Sequence, residues 1–270
     1  MPATRDDFVH PADKAALDKL KAVPLFPSFV RAFMSVFNER VWHGLNMANK
    51  IRLSPKQLPQ IYKHLPPICR TLNIEEPEFY LEMNPSPNAY TYGDKKVFVT
   101  VTSGLIEHLT DDEVHAVVAH ECGHILCQHV LYHTMARWVI IYGPAVFGPL
   151  AAVSIGLRLA LLYWMRRSEL SSDRAAAVIM GGAQPVVETM VRLAGGPKSI
   201  TKNINLKLYA QQAEAYDKLM ESEWDRFVVG MLGIAQTHPF HAVRTREIIR
   251  WCRTPQFKAI VTRLNGKDKV

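Results

Sequence analysis

At 270 residues and 48% hydrophobic composition, the chain has enough apolar material for a substantial core and is read as one main domain with an extension. The net charge of +7 is spread over 32 basic and 25 acidic residues without a long run of Lys or Arg, which argues against a nucleic-acid arm and leaves contact with anionic membrane surfaces open. The four cysteines, Cys69, Cys122, Cys127 and Cys252, show no CxxC spacing and are too few to staple a chain this long, so a reducing compartment is expected.

Met1 to His10 carries acids and a proline instead of a basic and then apolar run, so no secretory signal is expected. The expected location is cytoplasmic, with membrane association left open. From Pro11 to about Met47 the pattern is helical, with Leu17, Leu20, Phe29, Phe33, Val36 and Phe37 apolar and Pro24 and Pro27 as breaks. This segment carries no recognisable chemistry, and residues 1–52 are taken as a helical extension to a domain spanning 53–270. His43 and His64 have no partner at ligand spacing and are read as ordinary surface or packing residues.

Ser54-Pro55 reads as the start of a helix through Leu58, Ile61, Tyr62 and Leu65, with Pro66-Pro67 as a kink or stop and a second start at Ile68. Glu78 to Met83, Asn88 to Tyr92 and Val97 to Thr102 are β-rich runs separated by Pro85, Pro87 and the Gly93-Asp94 turn. A small sheet is therefore expected, with Asn88 to Tyr92 and the run from Val97 as a hairpin. Its outer strand, at Asn88, Ala89 and Tyr90, either accepts an extended peptide by strand addition or merely covers the core.

Thr110-Asp111-Asp112-Glu113 has the spacing of a capping box, which starts a helix at about Asp111. On that helix lies His120-Glu121-Cys122-Gly123-His124. Residues four apart share a helix face, so the rings of His120 and His124 can converge on one cation. Glu121 sits one step round, placed to take a proton from a metal-bound water. Gly123 costs helix stability, which suggests a close approach to its backbone. His129 and His133 are also four apart, but no glutamate follows His129 and no second metal is assigned there. Cys127 is read as a small buried thiol.

Trp138 to Met165 is almost wholly apolar, broken by Gly143-Pro144, Gly148-Pro149 and Arg158. A simple membrane span would put the two halves of the metal site on opposite sides, and two crossings need about 40 apolar residues. A bent helical hairpin at 138–165 is expected, either buried or in peripheral contact with lipid. Directly after it, Glu169 and Asp173 lie one turn apart on one helix face. Glu169 can supply a third metal ligand while Asp173 hydrogen-bonds the free nitrogen of a ligand histidine. Ala175, Ala176 and Ala177 provide small residues for close helix packing.

From about Leu53 to Arg250, the motifs NAYTYG at Asn88, TSGL at Thr102, HECGH at His120, ELSSDRA at Glu169 and THPFHAVR at Thr237 run in family order. On these motifs the chain resembles the HtpX-like and CaaX-prenyl-protease-like zinc endopeptidases of peptidase family M48, in the gluzincin group. The resemblance implies one zinc ion per chain with Glu169 as a ligand, Asp173 behind the ligands, and His238 at the catalytic centre steadying the oxyanion. It also matches Arg244 to the arginine six residues later. The long membrane spans of the integral members are absent, and the first 50 or so residues have no evident counterpart.

The expected fold is α+β, mainly helical: a zincin-like metallopeptidase domain with a small sheet whose edge strand faces the cleft. The expected function is zinc-dependent hydrolysis of peptide bonds in proteins or peptides, with Glu121 as general base and no nucleic-acid partner. The alternative is a latent or non-catalytic zinc-binding, chaperone-like module at membranes. Because Pro239 holds His238 on a turn, that ring is also expected to be able to occupy the fourth metal position at rest.

Overall fold

A computed structural model describes residues 2–24, 26, 30–31, 33–34, 39–147, 151–219 and 240–265; within these, the side chains of 39, 139–147, 151–155, 158, 219 and 265 are left aside. In chain order the described elements begin with α1 (Arg5–Phe8), α2 (Pro11–Lys21), α3 (Glu39–Asn49) and β1 (Ile51–Arg52). Next come α4 (Pro59–Tyr62), α5 (Leu65–Leu72), β2 (Glu78–Glu82), β3 (Ala89–Tyr92), β4 (Phe98–Thr102) and α6 (Ser103–His108). The metal-motif helix α7 (Asp111–Leu126) is followed by α8 (Val130–Phe147), α9 (Ala151–Ile179), α10 (Ala183–Gly195) and α11 (Lys198–Thr201). Helices α12 (Leu206–Leu219), α13 (His241–Cys252) and α14 (Pro255–Asn265) complete them. The fold is mainly helical with one small sheet, as the periodicities anticipate.

The sheet has the order β1-β2-β4-β3, with β2 parallel to β4 and β3 antiparallel to it, Ala89 opposite Val101 and Thr91 opposite Val99. Thus β3 stands at one edge and packs on α7. Alternation along β3 sends Ala89 and Thr91 to one face and Tyr90 to the other.

Two local expectations change. Ser54 does not cap a helix: its backbone pairs with that of Gln57 in both directions at 3.0 Å, closing a turn after β1, and the helix begins at Pro59. Pro66 and Pro67 do not stop a helix but open one, because proline in the first turn gives up only an N–H that has no intrahelical partner. Pro27, Phe29, Val36 and Phe37 lie outside the described residues, while Leu17, Leu20 and Phe33 are buried as anticipated.

The Thr110 capping box forms: Thr110 Oγ1 accepts from the Glu113 amide at 3.4 Å, and Glu113 Oε2 accepts from the Thr110 amide at 2.8 Å. Arg192 on α10 donates to the other Glu113 oxygen at 3.1 Å, so the start of α7 is tied to α10 as well as capped. Gly123 explains how closely α7 meets α9, since a Cβ there would sit 2.9 Å from Ser172 Cα and 3.0 Å from both the Ser172 carbonyl oxygen and the Ala175 Cβ. Ala175, Ala176 and Ala177 are fully buried.

The main core gathers the inner sheet face, α5, α7, α10, α13, α14 and the C-terminal part of α9. A second cluster joins Leu17 and Leu20 of α2 to Met135, Leu161 and Trp164 on α8 and α9, and to Tyr80, Tyr92 and Phe98 of the sheet. Helix α2 therefore lies directly on α9. The run 138–165 ends α8 and begins α9, two helices that pack on each other, with residues 148–150 between them outside the described set. Among the described residues, no helix is long and apolar enough to cross a membrane.

Candidate metal centre

His120 and His124 project from α7 with their Nε2 atoms 3.2 Å apart. Glu169 on α9 faces both, with Oε2 3.3 Å from His120 Nε2 and Oε1 3.4 Å from His124 Nε2. All three side chains are buried. Two ligands about 2.0–2.2 Å from a tetrahedral zinc stand roughly 3.3 Å from each other, so this donor set fits the ion in spacing and in chemistry. The structure thus brings His120, His124 and Glu169, singled out in the sequence, to one place.

The opposite side of His120 is held by a carboxylate: its Nδ1 lies 2.9 Å from Asp173 Oδ1. A carboxylate only accepts, so Nδ1 carries a proton, and Nε2 is the ring atom left to serve as a ligand. Arg244 on α13 donates to both Asp173 oxygens, at 2.8 and 2.6 Å, and its Nη1 is 3.1 Å from Glu169 Oε2. Burial alone would raise the Asp173 carboxyl, but the Arg244 guanidinium and the His120 hydrogen bond outweigh it and hold it at about 2. Burial would lower Arg244, yet Asp173 and Glu169 outweigh it and push its pKa up. The guanidinium is therefore the fixed positive charge that permits two adjacent buried carboxylates.

Glu121 points from α7 toward β3, where the Thr91 hydroxyl reaches its Oε2 at 2.7 Å. Sequence reading did not single out Thr91. The available signal is strand alternation, which puts it on the same face as Ala89. Asn88 and Ala89 line a cleft of about 470 Å³ together with His120, Glu121 and Arg244, and Val117, Val186, Met190 and Leu193 add an apolar wall. Tyr90 is different. Its ring turns to the other face of the sheet, where its hydroxyl meets Glu82 Oε2 at 2.5 Å and Lys50 Nζ at 2.7 Å, so its side chain is directed away from the cleft. His238 lies outside the described residues, as does the expectation that it blocks the fourth metal position.

His43 and His64, read as ordinary, and His129, read only as half of an unassigned pair, have partners from distant sequence. His43 Nδ1 is 2.9 Å from Glu78, and His64 lies between His115 and Asp111. His129 is fully buried between His124 and Asp13, with Nδ1 3.1 Å from His124 Nδ1 and Nε2 2.9 Å from Asp13 Oδ2. The N-terminal segment, expected to carry no chemistry, thus sends a carboxylate into the interior beside the centre.

A helical fold with a small sheet, an edge strand beside the cleft, and a buried pair of histidines with a glutamate defines a zincin-like metallopeptidase. The sequence model of Peptidase family M48 matches residues 55–252, and the chain belongs to that family. It is 35% identical over 269 residues to the plastoglobule-localized metallopeptidase 48, chloroplastic, of Arabidopsis thaliana, covering 98% of this chain and 78% of that one. It is 26% identical over 165 residues to a protease HtpX homolog of Neisseria meningitidis, covering 51% of this chain and 59% of that one. To a protease HtpX homolog of Burkholderia cenocepacia it is 23% identical over 242 residues, covering 79% and 81%. No solved structure matches. The chain is a metalloprotease of this family.

Proposed function

We propose that this metalloprotease is a zinc endopeptidase in which His120, His124 and Glu169 hold one zinc ion and Glu121 is the general base. The observation that carries this reading is the convergence of three buried side chains whose donor atoms lie 3.2 to 3.4 Å apart, with Glu121 on the next helical position lining the same cleft. When bound, zinc supplies Lewis-acid polarisation of the scissile carbonyl and lowers the pKa of a coordinated water to about 7. Glu121 then takes the proton of the attacking water and passes it to the leaving amine. Thr91 holds the Glu121 carboxylate through Oε2. His238 is assigned to the oxyanion on the strength of its motif.

Substrates are proteins or peptides, laid in extended form along the Asn88–Ala89–Tyr90 backbone, because β3 is at the end of the strand order and Asn88 and Ala89 line the cleft. For location, the four free cysteines favour a reducing, cytoplasm-like compartment. Peripheral lipid contact through 138–165 fits a relative named for plastoglobules.

The test couples metal analysis of the purified chain to casein cleavage. Cleavage by the wild type, with zinc retained and cleavage lost in Glu121→Gln, supports the reading. Zinc bound stoichiometrically without cleavage by the wild type would make the centre non-catalytic and favour a chaperone-like module.

A further inference from the structure

Beside the centre lies a buried chain of hydrogen bonds that the proposed reaction does not use. Asp13 is almost completely buried, and three groups surround its carboxylate: His129 Nε2 at 2.9 Å, Ser171 Oγ at 2.6 Å and Trp164 Nε1 at 3.0 Å. Indole N–H can only donate, and an ionised carboxylate can only accept. The bond to His129 must then run from Nε2–H to Asp13. In the neutral ring His129 Nδ1 then holds a lone pair, and its neighbour at 3.1 Å is His124 Nδ1. For that contact to be a hydrogen bond, His124 Nδ1 carries the proton and His124 Nε2 carries the lone pair. That is the atom facing His120 Nε2 and Glu169.

We infer that Asp13 and His129 are positioning residues for the metal centre: a carboxylate on the N-terminal helix fixes the tautomer and ring orientation of the ligand His124 through one intervening imidazole. The inference rests on the assignment of His124 as a ligand. The two ligand histidines are then served alike, His120 directly by Asp173 and His124 through His129 by Asp13. An outer carboxylate raises the basicity of a ligand imidazole and removes its freedom to rotate. Asp13 lies outside the span matched by the family model, so α2 supplies a part of the centre from beyond that span.

The same rings, with His133, are also close enough to be considered for a second cation. Their hydrogen bonds oppose it. Ser168 Oγ donates to the Met165 carbonyl at 2.8 Å and so accepts from His133 Nε2 at 2.7 Å, while both nitrogens of His129 are engaged. A second ion would also have to strip the Nδ1 proton from a histidine already holding the first.

The experiment measures zinc affinity of the full chain by chelator competition, together with the ¹⁵N resonances of the histidine rings in the zinc-loaded protein. In His129→Phe, which retains a ring against Trp164, affinity is expected to fall about ten- to a hundredfold, and in Asp13→Asn by about tenfold. Trp164→Phe removes a different hydrogen bond from the same carboxylate and should leave zinc affinity within about twofold, which separates positioning from general loss of packing. The wild-type spectrum should show protons on His124 Nδ1 and His129 Nε2. Wild-type affinity in both His129→Phe and Asp13→Asn, with His124→Ala impaired, would overturn this inference and leave the ligand assignment standing. The opposite His129 tautomer, or two zinc ions per chain, would also overturn it. Normal zinc binding by His124→Ala would overturn both.

Discussion

The Thr91 hydroxyl lies 2.7 Å from Oε2 of Glu121, joining the edge strand to the metal-motif helix at the carboxylate beside the two histidines. A hydrogen bond to a charged group is worth about 1.5 kcal/mol or more, equivalent to roughly tenfold in rate if it orients the base. Thr91→Val, which preserves shape, is expected to lower kcat about tenfold with zinc content unchanged. Steady-state kinetics with parallel metal analysis checks this. A loss of zinc would mean that Thr91 acts on the ligands instead.

Glu121→Gln should retain both fold and zinc while losing about 10²- to 10⁴-fold in activity, because an amide cannot accept the proton of water. Casein cleavage and metal content are the readouts. Zinc loss in this variant would make Glu121 a ligand.

Glu169→Ala should abolish stoichiometric zinc binding, whereas Asp173→Asn should weaken it by about ten- to a hundredfold. Arg244→Ala acts differently, since it leaves Asp173 and Glu169 buried together without their cation. Removing one partner of such a group costs about 3–5 kcal/mol, so a fall in the denaturation midpoint of the metal-free protein is expected.

In the protein stripped of metal, burial pulls the His120 pKa down, but hydrogen bonds to Asp173 and Glu169 outweigh it and raise it to about 9. At pH 7 this ring holds a proton that zinc must displace, so binding should release about one proton, measurable by calorimetry in buffers of different ionisation enthalpy. For stability the sign follows from a raised folded pKa. The contribution is complete below the unfolded value of 6.5 and is lost as pH rises through about 9. Melting of the stripped protein between those limits tests it, and a melting temperature that does not fall would contradict the pairing.

Gly123→Ala places a methyl group against the Ser172 backbone, which cannot swing aside as a flexible side chain would. Separation of α7 from α9 should cost about 1–3 kcal/mol and weaken zinc binding, because Glu169 moves with α9. Chemical denaturation and chelator competition report the two effects separately.

Rules that operate over one or two helical turns were enough to mark His120 with His124, and Glu169 with Asp173, as pairs on one helix face, to set Glu121 beside the first pair, and to read the Thr110 capping box from the chain alone. A spacing of four residues sets both the face and the distance between side chains before any tertiary contact forms. The glycine in the motif and the three alanines after Asp173 likewise announced a close helix contact, since small residues are what such a contact requires. Arg244 and His238 were legible only through motif resemblance, and local pattern says nothing of what either meets. Thr91 on Glu121, and Asp13 on His129 across 116 residues, were decided by tertiary structure. A buried carboxylate or hydroxyl takes whatever donor the packing of α2, α7, α9 and the sheet brings to it. That packing is set by the apolar faces of those elements, so the partner of a polar residue set among them has no signature in its own neighbourhood of the chain.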